Sequence, residues 1–228
     1  MLKKVIKFNA GDFAAIAAIA AGIFLILQLI INIVMLAVEP DTVPAICGIL
    51  VPVILGFILL IFFMSNLVIN FDFLLRSGVT RRSALGSMLV LMVLEAAEAA
   101  VLSLLLGKAD LLIARAWAAA RPVLTVEEFF SPPAWGIALG YLAVLVLALV
   151  SGAALQRFGR RAFWVMWGGW MVLVVLMNSQ DWWEALFDGA VLAGAASAPI
   201  AALVLTGTAV LAAVAWSVHT LLRATVKN

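Results

Sequence analysis

Two acids and three arginines are the residues best equipped for chemistry in this chain of 228 residues, and all five are set in hydrocarbon. Glu95 and Glu98 interrupt the run SMLVLMVLEAAEAAVLSLLL, three residues apart, so that a helix stacks them on one face. A charged side chain in the middle of a bilayer costs roughly 3 kcal/mol on insertion scales and is usually kept for function. With a third helix starting near Ser83, Glu95 falls roughly 18 Å along it, past the midplane of a ~30 Å core. One reading is an ion, proton or cationic-substrate site. The plainer one is that both acids face an outward-open cleft, or pair with Arg115 or another helix for assembly. Arg76, Arg81 and Arg82 lie with Asp72 in FDFLLRSGVTRRSALG, residues 71–86, a basic interruption between two apolar runs.

No catalytic or metal-ligating residues are expected. Cys47 is the only cysteine and His219 the only histidine, which excludes a disulfide within the chain, a thiolate cluster and a His-rich metal site. There is no Ser-His-Asp set, no paired histidine with a carboxylate, and no acidic motif for magnesium. A phosphate-cradling G-x-x-x-x-G-K-[ST] loop is missing too, so the chain cannot use ATP unaided. An enzyme is not expected, nor is a nucleic-acid partner.

The elements that must position these residues are membrane helices. The chain is 67% hydrophobic and 11% charged, where soluble domains carry about 25% charged residues. Its mean hydropathy is +1.23. The expected fold is all-α: one polytopic membrane domain over residues 1–228, with six spans at about 13–38, 43–70, 83–106, 134–155, 162–177 and 199–222. The first apolar run is too long for a cleavable signal peptide. Asp12 is placed to cap the first span and Pro52 to kink the second. Gln28 and Asn32 share a face expected to look inward. Residues 107–131 read as a polar region ended by Arg121-Pro122, with Thr125 and Glu128 as a capping pair for a short helix. Gly136 and Gly140 form a G-x-x-x-G close-packing face. Gln156 to Arg161 reads as a second basic turn, and residues 189–198 as a short re-entrant helix at the outer surface before the last span.

Charge sets the expected orientation. Lys3, Lys4, Lys7, Arg76, Arg81, Arg82, Arg157, Arg160, Arg161, Arg223 and Lys227 fall on one side; only Lys108, Arg115 and Arg121 fall on the other. The positive-inside rule puts the first group, and with it both termini, in the cytoplasm. Residues 1–9 there read either as a small amphipathic, basic element suited to an anionic membrane surface or as a solvated basic tail. Trp164, Trp167 and Trp170 recur at every third position of the fifth span, either as a groove for a lipidic or aromatic substrate or as helix packing and an interfacial belt.

Gly78 can turn the chain and Thr80 can cap the helix that follows, with Arg81-Arg82 just inside the cytoplasm. Arginines in a first turn oppose the helix dipole, which points to a partner or to lipid phosphates. At Gly78-Val79-Thr80-Arg81-Arg82, with Gly86 following, the chain resembles the membrane subunits of ATP-binding cassette (ABC) exporters of the small six-helix, type V kind. Their second and third spans are joined by such a coupling element. The resemblance implies an ATPase-coupling element comprising Asp72, Arg76, Gly78, Thr80, Arg81 and Arg82. It also implies a separate ABC ATPase subunit that binds the ATP and magnesium, no cofactor on this chain, and pairing with a second copy or a homologous permease. The expected location is the cell membrane. The alternatives are an ion-coupled secondary transporter using Glu95 and Glu98, and a non-transporting membrane scaffold or sensor.

Overall fold

The computed structural model describes residues 10–38, 41–121, 124–128, 132–177 and 198–223. Helices dominate: α1 (Ala10–Ala37), α2 (Cys47–Ser65), α3 (Phe71–Arg76), α4 (Arg81–Ala120), α5 (Ala134–Phe158), α6 (Arg160–Met177) and α7 (Ala198–Arg223). A π-helical turn, Asn66–Asn70, joins α2 to α3, so that Cys47–Arg76 is one helical run of 30 residues. Among the described residues four segments are long and apolar enough to cross a membrane: Gly11–Ala37, Cys47–Arg76, Arg81–Ala120 and Ala134–Phe158. This is a membrane protein. Large apolar side chains such as Leu25, Leu29, Ile33 and Leu36 on α1 stay exposed, an arrangement that suits hydrocarbon as the solvent.

Helices α6 and α7 occupy the positions of the fifth and sixth expected spans. The basic element expected at residues 1–9 and all but the last residue of the re-entrant segment expected at 189–198 lie outside the described residues.

Several boundaries differ from the sequence expectation. The second span starts later, because Thr42–Ala45 forms strand β1, paired in parallel with β2 (Thr125–Glu128) in the register Thr42↔Thr125 to Ala45↔Glu128. The expected short helix at Thr125–Glu128 is therefore a strand. β-Branched Thr42, Val43, Thr125 and Val126 favour the pleated backbone over a capping box. Pro44 is tolerated because each strand of a two-stranded sheet is an edge.

The third span was expected to end at Leu106, yet α4 continues to Ala120 over 40 residues, roughly 60 Å. Lys108, Asp110 and Arg115 suggested a polar loop. The stretch is nevertheless rich in Ala and Leu, the strongest helix formers, and its one glycine does not stop it. Arg121-Pro122 ends the helix as expected. Helix α2 runs on through Pro52.

By compactness the chain divides into two units: residues 1–63 with 83–147, and residues 64–82 with 148–228. In the first, Ile31, Met35, Val43, Cys47, Val51 and Ala114 form a buried core against Leu27 and Trp117. Helices α2 and α4 approach through glycine: a Cβ on Gly107 would lie 3.1 Å from the Gly48 Cα. Gly140, by contrast, is exposed with nothing within 4 Å of its Cβ position, so no described helix packs closely on the G-x-x-x-G face there.

Candidate functional site

The basic stretch at 71–86 is mostly helix, and the interruption shrinks to Ser77–Thr80. Helix α3 closes in a Schellman arrangement: Gly78 N donates to Leu75 O (3.2 Å) and Val79 N to Leu74 O (3.1 Å). Gly78 has φ +84°, the left-handed conformation this motif needs and glycine adopts without penalty. Ser77 Oγ adds a bond to Leu74 O at 2.8 Å. Thr80 stands immediately before α4, whose first two residues are Arg81 and Arg82. Arg76, Gly78, Thr80, Arg81 and Arg82 are exposed, as is Phe73. Asp72 is half-buried.

Two side chains, Arg81 and Gln156, brace this turn within the second unit. Arg81 Nη1 donates to Leu222 O at 3.3 Å, supplying a cation to the carbonyl end of α7. Gln156, on α5, donates its side-chain amide to Leu67 O (3.2 Å), Val68 O (3.1 Å) and Asp72 Oδ1 (3.3 Å). A π turn inserts one residue into a helix and displaces carbonyls from their regular partners; Gln156 takes up two of these. The contact is close because residue 152 is glycine: a Cβ there would lie 2.8 Å from the Leu67 Cβ. On the exposed side of the turn, Asn70 Nδ2 donates to Asn66 Oδ1 at 2.9 Å. The expected basic turn at 156–161 reduces to Gly159 (φ +62°), since Gln156, Arg157 and Phe158 belong to α5. Arg157 and Arg161 border a groove of about 610 Å³ with Phe158 and Met166.

Glu95 and Glu98 belong to the first unit. Glu95 is 0% exposed, and neither of its carboxylate oxygens has a hydrogen-bond partner. Glu98 is half-buried with Oε2 also unpartnered. Asp12, in the first turn of α1, acts on Glu95 electrostatically, as does Glu98. All three side chains are acids. The outward-cleft reading fails for Glu95, which is sealed from solvent.

A second polar cluster escaped sequence reasoning. Asp110, 2% exposed, accepts from the Gln28 amide and from Cys47 N (2.8 Å), capping α2 from across the bundle. Asn32 Nδ2 donates to Gln28 O at 2.7 Å, and Trp117 Nε1 to Asn32 Oδ1 at 2.8 Å. Gln28 and Asn32 thus look inward as expected. Asp110 also borders a cavity of about 350 Å³ with Gly48, Gly107, Lys108 and Pro133. One signal was available: Asp110 and Ala114 are four apart, which is the spacing of a continuing helix face.

Trp164, Trp167 and Trp170 are each about half exposed, at 55%, 51% and 52%, and Trp164 and Trp167 meet edge to face along the helix. No group of three or more His, Cys, Asp or Glu side chains among the described residues is placed to hold a metal ion. No family model matches the chain, and no curated protein or solved structure is significantly similar to it.

Proposed function

We propose that this chain is the permease subunit of an ATP-driven ABC export system, in a multi-pass arrangement of six spans with both termini in the cytoplasm. The observation that carries the reading is the braced turn at Ser77–Thr80. Arg82 is exposed there to meet a partner, while Arg81 holds the end of α7 and Asp72 is held by Gln156 of α5. A surface of this kind passes a push on the turn to three helices at once. The ATP-binding loop is missing from the chain, so the energy comes from a separate ATPase docking there, which carries the ATP and magnesium. The translocation path forms with a second copy or a homologous permease; the exposed Gly140 face of α5 is available for such pairing.

The test is co-purification with candidate ABC ATPases, comparing wild type with Arg81→Glu/Arg82→Glu. Capture of an ATPase by wild type and its loss in the variant support the reading. The second reading, an ion-coupled carrier, draws on the unpartnered Glu95. It requires the purified protein alone to move solute down a proton gradient, and a Glu95→Gln/Glu98→Gln variant that keeps full transport removes it.

A further inference from the structure

We infer that the groove at the α5–α6 turn holds the phosphate head of an anionic phospholipid drawn from the surrounding bilayer. The inference needs only the membrane setting and stands apart from the permease reading. Helix α5 is long and apolar enough to cross a membrane and ends at Phe158, so its last turn stands where hydrocarbon gives way to head groups. The turn into α6 is one left-handed residue, Gly159 (φ +62°), whose N–H returns to Leu155 O at 2.8 Å. Arg157 and Arg161, on either side of that glycine, thereby border a single groove of about 610 Å³. Ligand sites typically enclose roughly 300–1,000 Å³, so there is room for a head group. The remaining lining is apolar, from Ala154, Phe158, Ala162, Val165 and Met166. Val165 is 75% exposed, which leaves the groove open on that side.

Charge selects the occupant. The described residues of the second unit carry seven arginines and a single acid, Asp72, which already accepts from Gln156 at 3.3 Å. No other described acid of the unit remains to balance Arg157 and Arg161. The Arg157 guanidinium is also held in place, 5.3 Å from the centre of the Phe158 ring. Each guanidinium is a planar fork that takes anionic oxygens in pairs, and two forks suit a phosphate better than a carboxylate with its two oxygens. A free phosphate would satisfy the arginines but leave the apolar lining bare. A phospholipid does both, laying its glycerol and first acyl methylenes against Ala162, Val165 and Met166.

The test is photolabelling of the full chain in phosphatidylcholine nanodiscs. The probe is phosphatidylglycerol with a diazirine near the carbonyl end of one acyl chain, and the adducts are located by mass spectrometry. Labelling between Ala162 and Met166 should saturate, be competed by unlabelled phosphatidylglycerol, and persist in millimolar inorganic phosphate. Arg157→Gln and Arg161→Gln should each raise the amount of probe needed for half-saturation about tenfold. Arg160→Gln is the control: it removes the same charge one residue away, from a side chain outside the groove lining, and should leave half-saturation nearly unchanged. Competition on the wild-type protein needs no variant, so a misfolded substitution leaves the inference open to refutation. It is overturned by equal, saturable labelling with a phosphatidylcholine probe, which would mean an apolar lipid contact without head-group selection. Equal losses in Arg160→Gln and Arg161→Gln would overturn it as well, by reducing the effect to diffuse charge. Displacement by inorganic phosphate alone would do the same, by making the site one for a free anion.

Discussion

Gln156 and Leu67 meet where a membrane helix has taken in an extra residue. The Gln156 amide reaches the Leu67 carbonyl at 3.2 Å, inside the π turn Asn66–Asn70 and directly before the exposed arginine turn. Gln156→Leu keeps the bulk of the side chain but leaves the displaced carbonyls and Asp72 without their donor. The expected loss is about 1–3 kcal/mol, seen as a lower melting temperature in detergent and faster amide exchange over residues 66–76. Gln156→Glu should do worse, since a carboxylate cannot donate and would face Asp72. Unchanged exchange in both variants would mean that the π turn holds itself.

Gly152 sets how closely α5 approaches that turn. Gly152→Ala puts a methyl group 2.8 Å from the Leu67 Cβ and should destabilise the protein by about 1–3 kcal/mol. The internal control is Gly140→Ala, where nothing lies within 4 Å and the monomer's melting temperature should hold or rise slightly. Equal effects of the two substitutions would contradict the packing described for Gly152.

Asp110 is tested through the protein's single cysteine. Cys47 is buried, and its backbone N–H rests on Asp110 Oδ2 at 2.8 Å. Asp110→Ala removes the cap on α2 and the partner of Gln28, at a cost of about 1–2 kcal/mol for the cap alone. Alkylation of Cys47 by a small maleimide should therefore be slow in wild type and severalfold faster in the variant. Equal rates would show that Asp110 does not hold the start of α2.

The arginine turn was legible in the sequence because its signals are local: a glycine after an apolar helix, a threonine before the next, and charges that hydrocarbon does not accept. Gly78 and Thr80 stand where those signals place them. The buried polar pairings were not legible in the same way. Asp110 reads as a loop acid when charge alone marks the end of a span, and its partners Gln28 and Cys47 lie 82 and 63 residues away. Only tertiary packing turns such an acid inward. Gln156 was likewise grouped with a basic turn, since a glutamine announces no partner, and the π turn it serves has no sequence signature of its own. The glycines divide along the same line. Gly136 and Gly140 have the motif spacing, yet Gly107 and Gly152 are where a Cβ would come within 3.1 Å and 2.8 Å of a neighbour, as set by the residues across from them.

The most direct measurement of the central claim is capture of an ABC ATPase by the solubilised chain, with wild type, Arg82→Glu and Arg81→Glu/Arg82→Glu compared at equal amounts of folded protein. Arg82→Glu leaves the Arg81–Leu222 bond in place, so it separates docking from damage to the end of α7. The account predicts that wild type retains an ATPase, that Arg82→Glu retains less, and that the double variant retains none while still eluting as a folded protein. If no ATPase is captured by wild type and the purified chain alone moves solute down a proton gradient, the permease account is wrong.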